Sequence, residues 1–351
     1  MVLASEQGEK ADAPSSFFFW KKKKLIAPIE RRGQTITVVG EESDDAVGVS
    51  CSPTERMSIG VIGCGNLGSQ FVARALKAGL GVVAFDLDAS RVPRGATVAA
   101  SICDVVERLG GEERGTILSI VPNDLALRSV ATELMKTSFP FDHVSCSTAS
   151  PDASRDLARE HAHLGLGFAA APVFGRPENI RDDQASFVVS GPARDQAAKV
   201  LGSFAAPRDR VFDFGEDPGA ANVVKLCGNF MIGASIQVMA EGLALAEANG
   251  ADRQRVMDIL SSTIFDCPIF KGYGHRVSRR DHRPGGFSLQ HGLKDIDLVT
   301  QHLATHSPEH MKLPFLRALH QQFLDAHTAG LTDLDWSAVA LATSPLATKE
   351  T

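Results

Sequence analysis

SIGVIGCGNLGSQFVARALKAGLGVVAFDLD, residues 58–88, is the stretch from which the fold can be read. An apolar, β-branched run at 59–62 meets a tight turn in which Gly63, Gly65 and Gly68 keep the spacing G-x-G-x-x-G. A helix pattern follows, with apolar side chains at Leu67, Phe71, Val72, Leu76 and Leu80, and a second apolar run, 82–85, stops at Asp86. Strand, glycine turn, helix, strand and terminal acid together are the signature of a dinucleotide-binding βαβ unit. Gly63 permits the sharp turn, Gly65 lets a pyrophosphate approach the backbone, and Gly68 lets the helix sit close to the strand. With Asn66 and Leu67 they form a cradle where the helix N-terminus presents N–H groups and its positive dipole end to phosphates. Asp86 is placed to accept hydrogen bonds from a ribose 2′-OH and would repel a 2′-phosphate, so the expected cofactor is NAD, with NADP not excluded.

Around this unit the chain has 351 residues, room for two domains and a sizeable core. A net charge of −6 with ordinary charged content does not suit a nucleic-acid partner, which favours a basic face. Six cysteines without a C-x-x-C pair point to reduced thiols and a cytoplasmic setting. Apolar runs stay short of the roughly 20 residues a membrane span needs. Residues 1–56 are rich in Ser, Glu, Lys and Pro and are expected to be a disordered extension. Within them FFFWKKKK, 17–24, stands out as aromatics beside lysines, and acidic residues such as Glu6, Glu9, Asp12, Glu30, Glu41, Glu42, Asp44 and Asp45 argue against a transit peptide.

After Asp86 the alternation continues. Residues 116–121 read as a buried strand ended by Pro122, which makes the turn Val121-Pro122-Asn123 a candidate cofactor contact at a strand's carboxyl end. A strand from His143 runs into the hydroxyl-rich turn SCSTASP, with Ser150 as helix N-cap and Pro151 in the first turn, leaving Ser147 and Thr148 over for other work. From Gly219 the pattern turns wholly helical. Residues 220–249 are apolar nearly all round, which marks a buried helix. Inside it Asn222, Lys225 and Asn229 share one face. A buried lysine loses basicity toward the range useful for proton transfer. The basic stretch 275–283 reads as a solvated loop, and no metal-ligand cluster stands out.

These motifs, in order, resemble the β-hydroxyacid dehydrogenase family, which includes 3-hydroxyisobutyrate dehydrogenase, the glyoxylate and tartronate semialdehyde reductases and the cofactor domain of 6-phosphogluconate dehydrogenase. The carriers are GVIGCGNLG at Gly60, SCSTASP at Ser145, APVFG at Ala171, GAANVVKLCGN at Gly219, GLKD at Gly292 and DLDWSA at Asp333. The resemblance implies an α/β Rossmann-type N-terminal domain (57–217), a long interdomain helix and an all-α C-terminal domain (218–346). It places the family's catalytic lysine on Lys225, its companion asparagine on Asn229, its substrate serine on Ser147, its nicotinamide-side threonine on Thr148 and its cofactor-contacting lysine on Lys294. One departure matters. The family's Ala-Pro-Val-Ser-Gly-Gly, whose small residues cradle the substrate carboxylate, here reads Ala-Pro-Val-Phe174-Gly175-Arg176. The bulk and charge put small hydroxyacids in question and favour a larger or more apolar substrate.

The expected activity is hydride transfer between nicotinamide and a β-hydroxyacid-like substrate, with Lys225 as general acid/base and Ser147 and Gly175 on the carboxylate. By resemblance the chain assembles as a homodimer or homotetramer. Two alternatives stand beside this. An imine reductase or reductive aminase of the same architecture is mildly favoured by Phe174 but usually lacks the lysine. A non-catalytic nucleotide-binding interaction protein is disfavoured by the intact Lys225, Asn229 and Ser147.

Overall fold

The computed structural model describes residues 28–31, 34–37, 57–110, 114–308 and 310–343. Within the N-terminal extension, β1 (Pro28–Arg31) and β2 (Gln34–Thr37) pair antiparallel, with Ile29 opposite Ile36. The rest of residues 1–56, the aromatic–lysine run included, lies outside the described residues.

The βαβ unit appears as β3 (Ser58–Ile62), α1 (Gly68–Lys77) and β4 (Gly81–Phe85), followed by β5 (Thr97–Val98) and α2 (Ile102–Leu109). The chain then crosses to the other side of β3 and lays down β6 (Gly115–Ser119), α3 (Asp124–Leu134), β7 (Phe141–Ser145), α4 (Pro151–His163) and β8 (Gly167–Ala170). The result is a six-stranded parallel sheet of order β5-β4-β3-β6-β7-β8. Ile59 and Val61 are wholly buried, as expected of a central strand covered on both faces. Strand order reverses between β3 and β6, so the ligand crevice lies beyond their carboxyl ends, between the glycine turn and residues 120–123. A smaller sheet of β9 (Val173–Phe174), β10 (Ser186–Val189) and β11 (Val211–Asp213) joins β8 through an Ala170–Ser190 bridge, with α5 (Pro177–Arg181) and α6 (Arg194–Phe204) alongside.

The 29-residue helix α7 (Ala220–Ala248) opens the helical half. Around it lie α8 (Arg253–Ser262), α9 (Pro268–Arg279), α10 (Leu289–His306), α11 (Pro314–Thr328) and α12 (Ala340–Thr343). Ile236, Leu243, Met257, Ile296, Phe323 and Trp336 share its core. By length and composition alone α7 would pass for a membrane span, but here it packs against α9 and α10. Its expected all-round burial holds on the inner face only, since Met231, Val238 and Leu245 are 65%, 54% and 69% exposed.

The basic stretch 275–283 is not a loop throughout. α9 runs to Arg279, Arg280 closes it in the left-handed region at φ 50°, and Arg280 pairs with Glu247 at 2.7 Å. Phe270, Tyr273 and Val277, at helical spacing, turn an apolar face to the core, a period hidden in the sequence by the charges around it. The five cysteines among the described residues are all unpaired thiols.

Beneath the crevice lies a buried polar chain whose direction is fixed. The Leu157 carbonyl can only accept, so His161 Nδ1 carries the proton it shares at 2.7 Å. His161 Nε2 then accepts from His143 Nδ1 at 3.2 Å, and His143 Nε2 accepts from the Ser119 hydroxyl at 2.8 Å. This arrangement holds both rings neutral. Burial, and then the neighbouring His161, push His143 well below the usual histidine range, and burial lowers His161. Burial likewise takes His282 down to about 4. The unfolded chain takes up protons at these sites once the pH drops below about 6.5, while the folded chain resists them. Stability is therefore complete above that value and is lost as the pH falls toward about 4. Calorimetry should show Tm falling between about pH 6.5 and about pH 5, less steeply in His143→Gln. A flat Tm across that interval would contradict the neutral chain.

Candidate active site

The glycine turn is built by close backbone approach. Gly63 has φ +94°, and a Cβ there would lie 2.2 Å from the Ile120 carbonyl oxygen. A Cβ on Gly68 would lie 1.9 Å from the Gly63 carbonyl oxygen. A Cβ on Gly65, in contrast, would meet nothing within 4 Å, and no side chain caps the start of α1 at Leu67. Tight turn below, open space above and an uncapped helix N-terminus fit a bound pyrophosphate. Asp86 stands at the end of β4, where one carboxylate oxygen accepts from Cys64 N–H at 2.7 Å and the other from Asp88 N–H at 2.9 Å. Its first task is to tie the turn to the strand end.

On the opposite side of the crevice Val121 N–H donates to the Ser147 hydroxyl at 2.9 Å, which joins the ends of β6 and β7. Asn123 caps α3 through Ala126 N–H at 2.9 Å, so its side chain is engaged, and Pro122 lies between these two anchors. The Ser150 cap forms as the sequence indicates, accepting from Ala153 N–H at 3.1 Å.

The helical half closes over this edge. Lys294 of α10 donates to the Thr148 carbonyl at 2.8 Å and pairs with the carboxylate of its neighbour Asp295 at 2.8 Å. Asp295, wholly buried, also accepts from the Asn229 side-chain amide. One turn before Asn229 on α7 lies Lys225, only 8% exposed. Burial lowers its ammonium to about 8, partly opposed by the attraction of Asp295 and assisted by repulsion from Lys294. Its Nζ sits 4.5 Å from the centroid of the Phe174 ring, a cation–π contact worth about 2 kcal/mol when desolvated. Asn222, on the same face, donates to Ser154 of α4 at 2.6 Å. The fold thus gathers Ser147, Thr148, Phe174, Lys225, Asn229 and Lys294.

Asp295 is the member that the pattern missed as a site residue. Its signal was a carboxylate between Leu293 and Ile296, on the buried side of an apolar helix. Arg176, expected among the substrate contacts, turns elsewhere. Its guanidinium pairs with buried Asp335 and lies 5.4 Å from the Tyr273 ring centroid, so it straps the loop after β9 to the helical half. Gly175, between Phe174 and Arg176, has φ +157°.

The sequence pointed to no metal centre, yet the fold brings ligand atoms of Asp152, His302 and His306 within 4.8 Å of one another. Arg155 already pairs with Asp152 at 3.0 Å, which weakens that carboxylate's pull on a cation.

Residues 58–215 match the family model described as the NAD binding domain of 6-phosphogluconate dehydrogenase. Residues 219–342 match the model described as NAD-binding of NADP-dependent 3-hydroxyisobutyrate dehydrogenase. A 3-hydroxyisobutyrate dehydrogenase of Pseudomonas aeruginosa is 30% identical over 58% of this chain and 69% of its own length. The chain belongs to the 3-hydroxyisobutyrate dehydrogenase-like family. It is an NAD(P)-dependent oxidoreductase of hydroxyacid dehydrogenase type. Within that family it is also 29% identical to an uncharacterised oxidoreductase of Bacillus subtilis, over 81% of this chain and 98% of the other. The fold is shared with the Mycobacterium tuberculosis 3-hydroxyisobutyrate dehydrogenase solved with L-serine, at TM-score 0.71 and 22% identity, covering 82% and 99% of the two chains.

Proposed function

We propose that this member of the family interconverts an alcohol and a carbonyl on a β-hydroxyacid-like substrate, with Lys225 as general acid/base and NAD as the preferred cofactor. The observation that carries the reading is the Lys225 amine, buried in α7 and lowered to about 8, beside the Asn229–Asp295 pair and against the Phe174 ring. A bound nicotinamide would supply the hydride acceptor for the carbinol carbon, or the hydride donor for the carbonyl carbon. The turn 63–68 and Asp86 would hold the pyrophosphate and ribose, and Lys294 and Thr148 would flank the nicotinamide side. Lys225 takes the hydroxyl proton on oxidation and gives one to the carbonyl oxygen on reduction. Asn229, held by Asp295, keeps the reacting oxygen in register, and Ser147 lines the crevice at the strand ends.

An activity screen over hydroxyacids and simple alcohols, with NAD and NADP in parallel and nicotinamide absorbance as readout, tests this function. Absence of turnover in both directions would reject it. Asp86→Arg is expected to move the NAD/NADP preference at least about tenfold toward NADP, by removing the carboxylate that repels a 2′-phosphate. An unchanged ratio would remove Asp86 from that role.

The exposed apolar stripe of Met231, Val238 and Leu245 supports the expected homo-oligomer, with a second copy covering that face of α7. Light scattering that gave the mass of a single chain would reject this.

A further inference from the structure

We propose that the site selects a neutral substrate, one that carries an apolar group where a β-hydroxyacid carries its carboxylate, and that Phe174 is the specificity residue. This rests on the hydride-transfer reading above, keeping its alcohol–carbonyl chemistry and Lys225 while putting a neutral alcohol in place of the hydroxyacid.

Two groups of observations carry the proposal. The first is that Phe174 is seated in a slot shaped for a ring. A Cβ on Gly228, three residues after Lys225 on α7, would lie 2.4 Å from the Phe174 ring, so the absence of a side chain at 228 is what admits the phenyl group. Behind the ring stand Ala170, Val188, Ala221 and Val224, an apolar backing. A substrate oxygen bound to Lys225 Nζ must lie beside that ring, whose centroid is 4.5 Å from the amine.

The second is that the side-chain donors of Arg176, Ser147 and Lys294 are already engaged. The Arg176 guanidinium is paired with Asp335, and the Arg176 backbone N–H donates to Asn179 Oδ1 at 2.7 Å. The Ser147 hydroxyl accepts from Val121 N–H and turns its own proton toward the Ser119 carbonyl at 3.5 Å, and Lys294 Nζ is divided between the Thr148 carbonyl and Asp295. Asp295 adds a negative charge close to the reacting centre. A carboxylate entering this space would lose its water and meet Phe174 and Asp295, with the Lys225 amine already assigned to the reacting oxygen, and burial with too few partners is heavily disfavoured. An apolar substituent would gain contact with the ring and its backing.

The test compares 3-hydroxyisobutyrate with neutral counterparts that keep the primary carbinol: its methyl ester, 2-methylpropan-1-ol and 2-phenylpropan-1-ol. Steady-state kinetics are run on the full chain with NAD and with NADP. The wild type is expected to favour the best neutral alcohol over the carboxylate at least about tenfold in kcat/KM, chiefly through KM. Phe174→Ser is expected to reverse that ratio by at least about tenfold, and Phe174→Leu, which keeps apolar bulk, to preserve it. A wild type that favours the carboxylate, or a ratio unmoved in a folded Phe174→Ser protein, overturns the neutral-substrate proposal while leaving hydride transfer intact. Turnover of neither series by the wild type instead rejects the underlying function, and the substrate proposal with it.

Discussion

Lys225→Ala is expected to lower turnover at least about 100-fold while NAD binding is kept, because a positioned general acid/base contributes roughly 10²–10⁴-fold. The substitution leaves the glycine turn and Asp86 unchanged, so titration of cofactor fluorescence should give a near-normal affinity. The protein should still fold, since the lost contact with Phe174 is offset by relief from burying the charge of a lysine that is 8% exposed. The pH profile supplies a second readout. With the ammonium lowered to about 8, oxidation requires the neutral amine and should rise as the pH climbs through that value. Reduction requires the protonated form and should decline over the same interval. Both limbs should vanish from the residual rate of the alanine variant. Turnover within about tenfold of wild type would transfer the proton step to another group.

The second large effect is expected at Gly68. A methyl group there would fall 1.9 Å from the Gly63 carbonyl oxygen, and because the obstacle is backbone no side-chain rotation relieves it. Gly68→Ala must push α1 off the turn, and overpacking of this kind costs about 3 kcal/mol. For a unit of this size that corresponds to a fall of roughly 6–9 °C in Tm. Displacing the helix start also spoils the N–H groups aimed at the pyrophosphate, so NAD affinity should weaken at least about tenfold. Gly65→Ala is the control, because a Cβ there meets nothing within 4 Å in the protein itself. It should fold with wild-type stability yet bind cofactor more weakly. Equal stability of the two variants would show that the close approach at Gly68 is not what shapes the turn.

Much of this architecture was legible in the sequence because local chemistry and global fold agree. The G-x-G-x-x-G turn, the Ser150–Pro151 cap and the polar triplet in the apolar helix each follow from short-range rules, and each occupies its expected place. What could not be read were relations between distant residues. Phe174 was visible as a departure from a motif, but that its ring reaches Gly228 and Lys225 depends on the antiparallel pairing of β9 with β10. Arg176 was visible as a charge, but not its partner Asp335, 159 residues away. Nor does Asn123, read as a cofactor contact, disclose in sequence that its side chain is engaged as an N-cap. Periodicity failed where charges masked it, in α9, and where an apolar helix has an inner and an outer face, in α7.

The sheet and the helices are fastened along one seam by Asn222 to Ser154, Lys294 to the Thr148 carbonyl, Arg176 to Asp335 and Lys225 against Phe174. Parting the two halves would break all four contacts and uncover the Phe174 ring with its apolar backing of Ala170, Val188 and Ala221. Residues 57–343 should accordingly melt in one calorimetric endotherm rather than two, and either half made alone should precipitate or remain a molten chain.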